Sequence, residues 1–357
     1  TVDGPGRDIY LDHAIVGRLK TGIQLTSTEL DSLIFFIRIY GDTLLFGVNP
    51  SSKIDLSIGG QKLRIGLDLY KWEEASVVIR KLTAFPPYLS FVSDESMRLA
   101  LSFLISLLAL RPNILIFGET GSGKTTLSSL LLSTIPPQWR LVIIEDVSEV
   151  PDALLEGKKV VKVSVPSYEL RSSLEEYNLK INFKEREIIK LLHRSPDYCF
   201  LTEIQDLRDT KAMFHAFSAG IRGIATTHAR SIDGLMRRWL NIYRISPDWV
   251  KLLDVLVFMS KDMSGRGIKR YIDAVYLPLH ALRVGDIYPA LSSVSFGKGS
   301  QSISFAVINR HTISRIGKSE AIRLFNSIIK AIGAKDNNRW LEDQKSEELL
   351  KEIYSAL

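Results

Sequence analysis

Between about residues 95 and 277 the chain repeats one pattern. A short run of consecutive apolar residues is followed by a longer stretch with helical spacing. The runs are Asn113-Ile-Leu-Ile-Phe117, Leu141-Val-Ile-Ile144, Tyr198-Cys-Phe-Leu201 and Gly223-Ile-Ala-Thr226. A strand buried on both faces reads as a continuous apolar run, whereas a helix with one covered face has a period near 3.6. The alternation predicts an α/β fold in which helices cover a parallel sheet. Upstream the pattern changes to that of a smaller α+β domain: a helix over Ser27–Tyr40, strands around 44–48, 53–58 and 61–67, and a last strand in the run Ser76–Leu82. Gly59-Gly60 supplies the hairpin turn. Phe85-Pro86-Pro87-Tyr88 reads as a linker, because a proline pair stops both a helix and a central strand. Toward the end of the chain, strands at 268–277 and 301–308 and helices near 317–332 and 339–355 are expected. The predicted organisation is an N-terminal domain over 1–84, a linker over 85–94, the main α/β domain over 95–277 and a C-terminal appendage over 278–357.

Composition narrows the function classes. With 45% apolar and 24% charged residues, the 357-residue chain has a globular balance. Its net charge is only +6, and the basic residues form short clusters (Lys158-Lys159, Arg237-Arg238 and the stretch Arg266–Arg270) rather than one stripe. That distribution predicts no nucleic-acid footprint. The single cysteine, Cys199, excludes an intramolecular disulfide and a multi-cysteine zinc site, and reads as a buried apolar residue. The longest apolar stretch, Leu99–Leu110, has about 12 residues against the roughly 20 that a membrane-spanning helix needs. No signal-peptide pattern opens the sequence, so an intracellular protein that docks on a membrane partner is expected.

The densest chemistry is Gly118-Glu119-Thr120-Gly121-Ser122-Gly123-Lys124-Thr125-Thr126, which fits G-x-x-x-x-G-K-[ST] between a predicted strand and a predicted helix. Glycines permit positive φ, so successive N–H groups can converge on phosphate oxygens, and the helix N-terminus adds partial positive charge. Lys124 would reach the β- and γ-phosphates of a nucleotide and Thr125 would take one Mg²⁺ position. Two further runs end in carboxylates, Glu145-Asp146 and Glu203, and a third ends in Thr226-Thr227-His228. Ligands of parallel sheets bind at the carboxyl ends of the strands. Cleaving a phosphoanhydride needs charge neutralisation and an oriented water, tasks that Glu145 and Glu203 can divide. His228 at its strand end is placed to sense the γ-phosphate or its water.

Taken in order, these boxes resemble the secretion ATPase superfamily, the motors of type II and type IV secretion and of pilus and archaeal flagellum assembly. GETGSGKTT (118–126) resembles its Walker A loop, VIIEDVSEV (142–150) its Asp box, HRSPDYCFLTEIQD (193–206) its Walker B region and RGIATTHARS (222–231) its His box. DWVKLLDVLVFMSKDMSGRGIKRYIDAVY (248–276) is similar to its closing segment, and TGIQLTSTELDSLI (21–34) and ASVVIRKL (75–82) to its N-terminal domain. The resemblance implies a RecA-like P-loop motor domain, bound ATP and Mg²⁺, and hydrolysis served by Glu203, Glu145 and His228, with Thr125 and Glu145 toward the metal. It also implies that Arg80 matches an arginine near the nucleotide in relatives. The partners implied are further copies of the chain, in a ring of six, and an integral membrane platform protein at the cytoplasmic face of the cell membrane.

The chain departs from the family pattern in places. Gln205 stands where the family has an arginine, Thr202 where it has a glycine, and His193 and Ser195 where arginines usually precede the PD pair, with Arg194 out of step. An arginine finger is worth about 10³–10⁵ in rate, so Arg171, Arg186, Arg194, Arg208 and Arg230 are the substitutes to weigh. The family's tetracysteine element is excluded, which favours an archaeal-type or conjugation-type relative. Two other readings stay open at this point: a nucleic-acid-translocating RecA-like ATPase, and a nucleotide-binding scaffold that does not hydrolyse.

Overall fold

The computed structural model describes residues 1–13, 17–40, 51–59, 61–69, 75–82, 94–146, 150–165, 183–262, 268–279, 292–296, 302–309, 319 and 321–329. The strand expected at 44–48, Gly60, nearly all of the proposed linker, Arg171, Arg266 and the helix near 339–355 lie outside them. The chain divides between Pro86 and Pro87 into two compact units, the first built on Thr1–Pro86 and the second on most of the residues from Pro87 onward.

In the first unit, strands β1 (Val2–Asp3), β4 (Ser51–Ile58), β5 (Gln61–Leu69) and β6 (Ala75–Leu82) form one antiparallel sheet in the order β1-β6-β5-β4. β2 (Asp8–His13) and β3 (Gly17–Gln24) form a separate hairpin. Helix α1 (Ser27–Tyr40) buries Leu30, Ile34 and Ile37, one stripe at helical spacing, in a core with Ile54, Leu56, Ile65, Leu67 and Val77. Its start is fixed reciprocally, since the Glu29 N–H donates to Thr26 Oγ1 at 3.3 Å and the Thr26 N–H donates to Glu29 Oε2 at 2.8 Å. The helix and the 53–58, 61–67 and 76–82 strands thus stand where the periodicity put them.

The second unit is built on a nine-stranded sheet. Its strands are β7 (Ile114–Gly118), β8 (Arg140–Glu145), β9 (Lys159–Ser164), β10 (Tyr198–Leu201), β11 (Gly223–His228), β12 (Val255–Asp262), β13 (Lys269–Pro278), β14 (Ser292–Phe296) and β15 (Ile303–Asn309). Their order is β14-β15-β13-β12-β7-β11-β10-β8-β9. The run from β12 to β9 pairs parallel throughout, while β13, β15 and β14 pair antiparallel. Alternate residues of each central strand serve opposite faces. Ile114 and Ile116 join one core with helix α2 (Glu95–Leu108) and helix α3 (Lys124–Thr134). Leu115 and Phe117 join another with α4 (Phe183–Ile189), α6 (Leu207–Ser218) and Trp239, α5 (Leu191–Arg194) lying between those two helices in sequence. This doubly covered, largely parallel sheet is the RecA-like P-loop arrangement. The chain beyond residue 277 takes part in it: β14 and β15 extend the sheet, and in the helical stretch 321–329 Phe325 stacks on Phe103 of α2 with centroids 4.5 Å apart.

The amino ends of the central strands are tied by a buried polar knot. The Asn113 N–H donates to Asp254 Oδ2 at 2.8 Å, its side-chain amide donates to the Leu252 carbonyl at 2.9 Å, and its Oδ1 accepts from the Gly223 N–H at 3.2 Å. Asn113 and Asp254 are both buried, so these partners satisfy groups that would otherwise be costly. No helix among the described residues is long and apolar enough to cross a membrane.

A candidate nucleotide site at the carboxyl ends of the strands

The nine residues 118–126 turn from β7 into α3. Gly121 and Gly123 have φ of +76° and +96°, which glycine adopts without strain. Gly118 is required for space, because a Cβ there would lie 2.3 Å from the Met259 carbonyl oxygen of β12. Glu119 and Thr120 are exposed, while Thr125 and Thr126 are half-buried in the first turn of α3. The Ser122 hydroxyl is buried and has no hydrogen-bond partner among the described residues, so the loop keeps a polar atom to offer a ligand.

Lys124 lies back under the loop, only 7% exposed. Its ammonium donates to the carbonyls of Gly118 (3.1 Å) and Glu119 (2.9 Å) and stands 3.1 Å from His228 Nδ1. An ammonium has no lone pair, so Nδ1 is the acceptor and the imidazole proton sits on Nε2. That nitrogen is 3.5 Å from Glu203 Oε1, and Glu203 Oε2 accepts from Gln205 Nε2 at 2.9 Å. The register explains the meeting: β11 lies between β7 and β10, with His228 opposite Gly118. Lys124, His228, Glu203 and Gln205 therefore form one connected polar chain across three strand ends. Gln205, the residue where the family has an arginine, is part of that chain.

Glu145 is placed differently. It ends β8, which the sheet order puts three strands from β7, or about 14 Å at 4.8 Å per strand. Its side chain is 1% exposed. Arg80 belongs to the first unit, on β6 opposite Arg64, with an exposed side chain. Of the substitute arginines, Arg230 stands at the loop, its Nε 3.1 Å from Glu119 Oε1. Arg194 instead pairs with Glu187, and its carbonyl accepts from Arg140 Nε at the amino end of the sheet. Arg186 and Arg208 are exposed.

Several residues of the site carry no motif. Lys261 and Arg270, from β12 and β13, donate to the carbonyls of Thr120 (2.9 Å) and Gly121 (2.8 Å). Burial lowers the Arg270 pKa from its ordinary value. Arg238, on the π-helical turn Arg237–Ile242 that comes after α7 (Ile232–Met236), donates to Thr227 Oγ1 at 3.0 Å, and burial likewise lowers its pKa. Lys184 of α4 is wholly buried and bonds Asp146 Oδ2 at 2.6 Å and the Glu203 carbonyl at 2.9 Å. Only the full burial of so polar a side chain marks it out, and that is visible in three dimensions alone. Beside the loop lies a cavity of about 380 Å³ lined by Glu119, Thr120, His228, Ala229, Arg230 and Lys261.

Comparison with known proteins places the chain. The model of the type II/IV secretion system protein family matches residues 50–246, more than half of its length. An uncharacterized protein of Methanocaldococcus jannaschii is 29% identical over 141 residues, which are 39% of this chain and 47% of that protein. The type IV secretion system protein VirB11 of Bartonella quintana is 33% identical over 132 residues, 37% of this chain and 32% of that protein. The chain thus spans less than half the length of these curated relatives. The solved structure of the ATPase DotB of Legionella pneumophila shares the fold, with a TM-score of 0.52 at 19% identity over 77% of this chain and 75% of that one. With the loop, the strand-end residues and the family model agreeing over one continuous stretch, the chain belongs to the type II/IV secretion system protein family.

Proposed function

We propose that the protein is an ATPase that binds Mg-ATP at the 118–126 loop and couples its hydrolysis to a secretion or pilus-assembly machine. The observation that carries the reading is the polar chain Lys124–His228–Glu203, which joins the phosphate loop to a carboxylate on a neighbouring strand end. In this arrangement Lys124 supplies positive charge to the phosphates, Glu203 orients the attacking water, and His228 links the two. A change in charge at the lysine is thereby felt at the carboxylate.

The donor set fits a nucleotide and its metal. Gly121 and Gly123 take positive φ, and the buried Ser122 hydroxyl has no partner among the described residues. Among the described residues no cluster of three or more His, Cys, Asp or Glu could hold a metal alone. That suits Mg²⁺, which takes one or two protein oxygens and completes its shell with phosphates and water. Thr125 would hold it. When bound, the ion neutralises charge on the phosphate oxygens. Beyond the single chain, the proposal is a ring of copies, six by family resemblance, peripheral at the cytoplasmic face of the membrane and working on an integral membrane platform protein.

The test is Mg-ATP turnover by the wild type, Lys124→Ala and Glu203→Gln. Lys124→Ala should abolish turnover, and Glu203→Gln should lower it while nucleotide binding persists. Unchanged turnover in Lys124→Ala, or no hydrolysis by the wild type, overturns the reading.

A further inference from the structure

Glu203 is one of four described non-glycine residues with positive φ, at +47°. L-residues disfavour this region, so such a conformation persists only where the surroundings impose it. Here both backbone polar groups of Glu203 are taken by side chains. Its N–H donates to Thr226 Oγ1 of β11 at 2.9 Å, and its carbonyl accepts from Lys184 Nζ of α4 at 2.9 Å. Thr226 is 2% exposed and Lys184 is fully buried, so neither contact is a loose surface bond. The same ammonium bonds Asp146, immediately after β8, at 2.6 Å. Fixing the peptides on both sides of one residue fixes the direction in which its Cβ leaves the backbone. That direction decides whether its carboxylate reaches His228, 3.5 Å away.

We propose that Lys184, together with Thr226, is a positioning residue: it holds Glu203 in the left-handed conformation that presents the carboxylate to His228, and through Asp146 it ties the end of β8 to the end of β10. A buried ammonium is expensive unless every partner is polar and fixed. At this position it has a strand-end carboxylate and a strand-end carbonyl. The inference rests on the hydrolytic reading of the site, in which Glu203 orients water.

The test uses the full chain, with single-turnover Mg-ATP hydrolysis and binding of fluorescent mant-ADP. Lys184→Met and Thr226→Val are expected to lower the hydrolysis rate about 10- to 100-fold, the scale of a small misplacement in a site. ADP affinity should stay within about twofold, since the side-chain bonds of both residues go to Glu203 and Asp146 rather than to the 118–126 loop. Thr226→Ser, which keeps the hydroxyl, should restore the rate. Because Lys184 acts through Glu203, Lys184→Met should add nothing in a Glu203→Gln background, whereas a general structural defect would cost the same in both backgrounds. Equal loss in both backgrounds, or wild-type rates in Lys184→Met and Thr226→Val, overturns the proposal. Should Lys184→Met fail to fold, the Thr226→Val and Thr226→Ser pair decides it. Full activity in Glu203→Gln sinks the hydrolytic reading and this inference with it. An inactive Glu203→Gln beside active Lys184→Met and Thr226→Val sinks this inference alone.

Discussion

Replacing Gly118 with alanine tests whether the 118–126 loop is aimed by close packing of backbone on backbone. The added Cβ would lie 2.3 Å from the Met259 oxygen, 3.2 Å from the Met259 carbonyl carbon and 2.7 Å from Ser122 Oγ. Ordinary contact begins at 3.4 Å, so the methyl group must open the site by about 1 Å. Ser122 can rotate; the Met259 carbonyl cannot, because β12 is held in register with β7 at Val257–Ile116, Phe258–Phe117 and Met259–Gly118. Overpacking of this kind costs about 1–3 kcal/mol, and at about 2–4 °C per kcal/mol the Tm should fall by roughly 2–12 °C. The loop would move with its first residue, weakening mant-ADP binding. Gly157→Ala is the control: its φ is +77° but no atom lies within 4 Å of the new Cβ. It should cost about 1–2 kcal/mol from backbone strain alone and leave nucleotide binding intact. A Gly118→Ala protein that binds mant-ADP like the wild type and melts within about a degree of it would rule out close packing at this position as what aims the loop.

Two further outcomes are expected. Phe325→Ala removes a buried ring stacked on Phe103 and should destabilise the loop-bearing unit by about 3–5 kcal/mol, read from denaturant unfolding; an unchanged midpoint would mean the 321–329 helix is no part of that core. Burial pushes the Cys199 thiol from 9.0 up to about 12, so a disulfide reagent at pH 8 should label it only in denaturant, and rapid native labelling would contradict its placement. The unfolded thiol ionises near pH 9 and the native one near pH 12, so the native state's advantage is whole below pH 9 and drains away from there to 12.

The parts of the site that were legible in sequence are those where one local pattern carries the chemistry. The loop glycines, the apolar runs ending in Glu203 and His228, and the Ser27–Tyr40 helix all stand where their spacing put them. Strand order is the thing that sequence could not supply. Glu145 and Glu203 end similar runs, yet β10 lies beside β11 and β8 lies beyond it, so Glu203 meets His228 while Glu145 ends a strand further out. Lys184 was invisible for a similar reason. In Phe183-Lys184-Glu185-Arg186 it reads as one charge among several on a solvated helix, and only tertiary packing turns it toward the strand ends. β15 joined the sheet by pairing antiparallel with β13, and β14 by pairing in turn with β15, partners that local periodicity does not name.

The Asn113 knot has a consequence for how this fold can change. One amide and one carboxylate anchor three strands at the floor of the sheet, at the end opposite the 118–126 loop, Glu203 and His228. A one-residue slip of any of these strands would break the anchor and turn its apolar side chains to the wrong face. The floor thus serves as a datum from which the upper rim is measured, leaving the residues along that rim open to substitution, such as glutamine for arginine at 205, without redrawing the scaffold beneath.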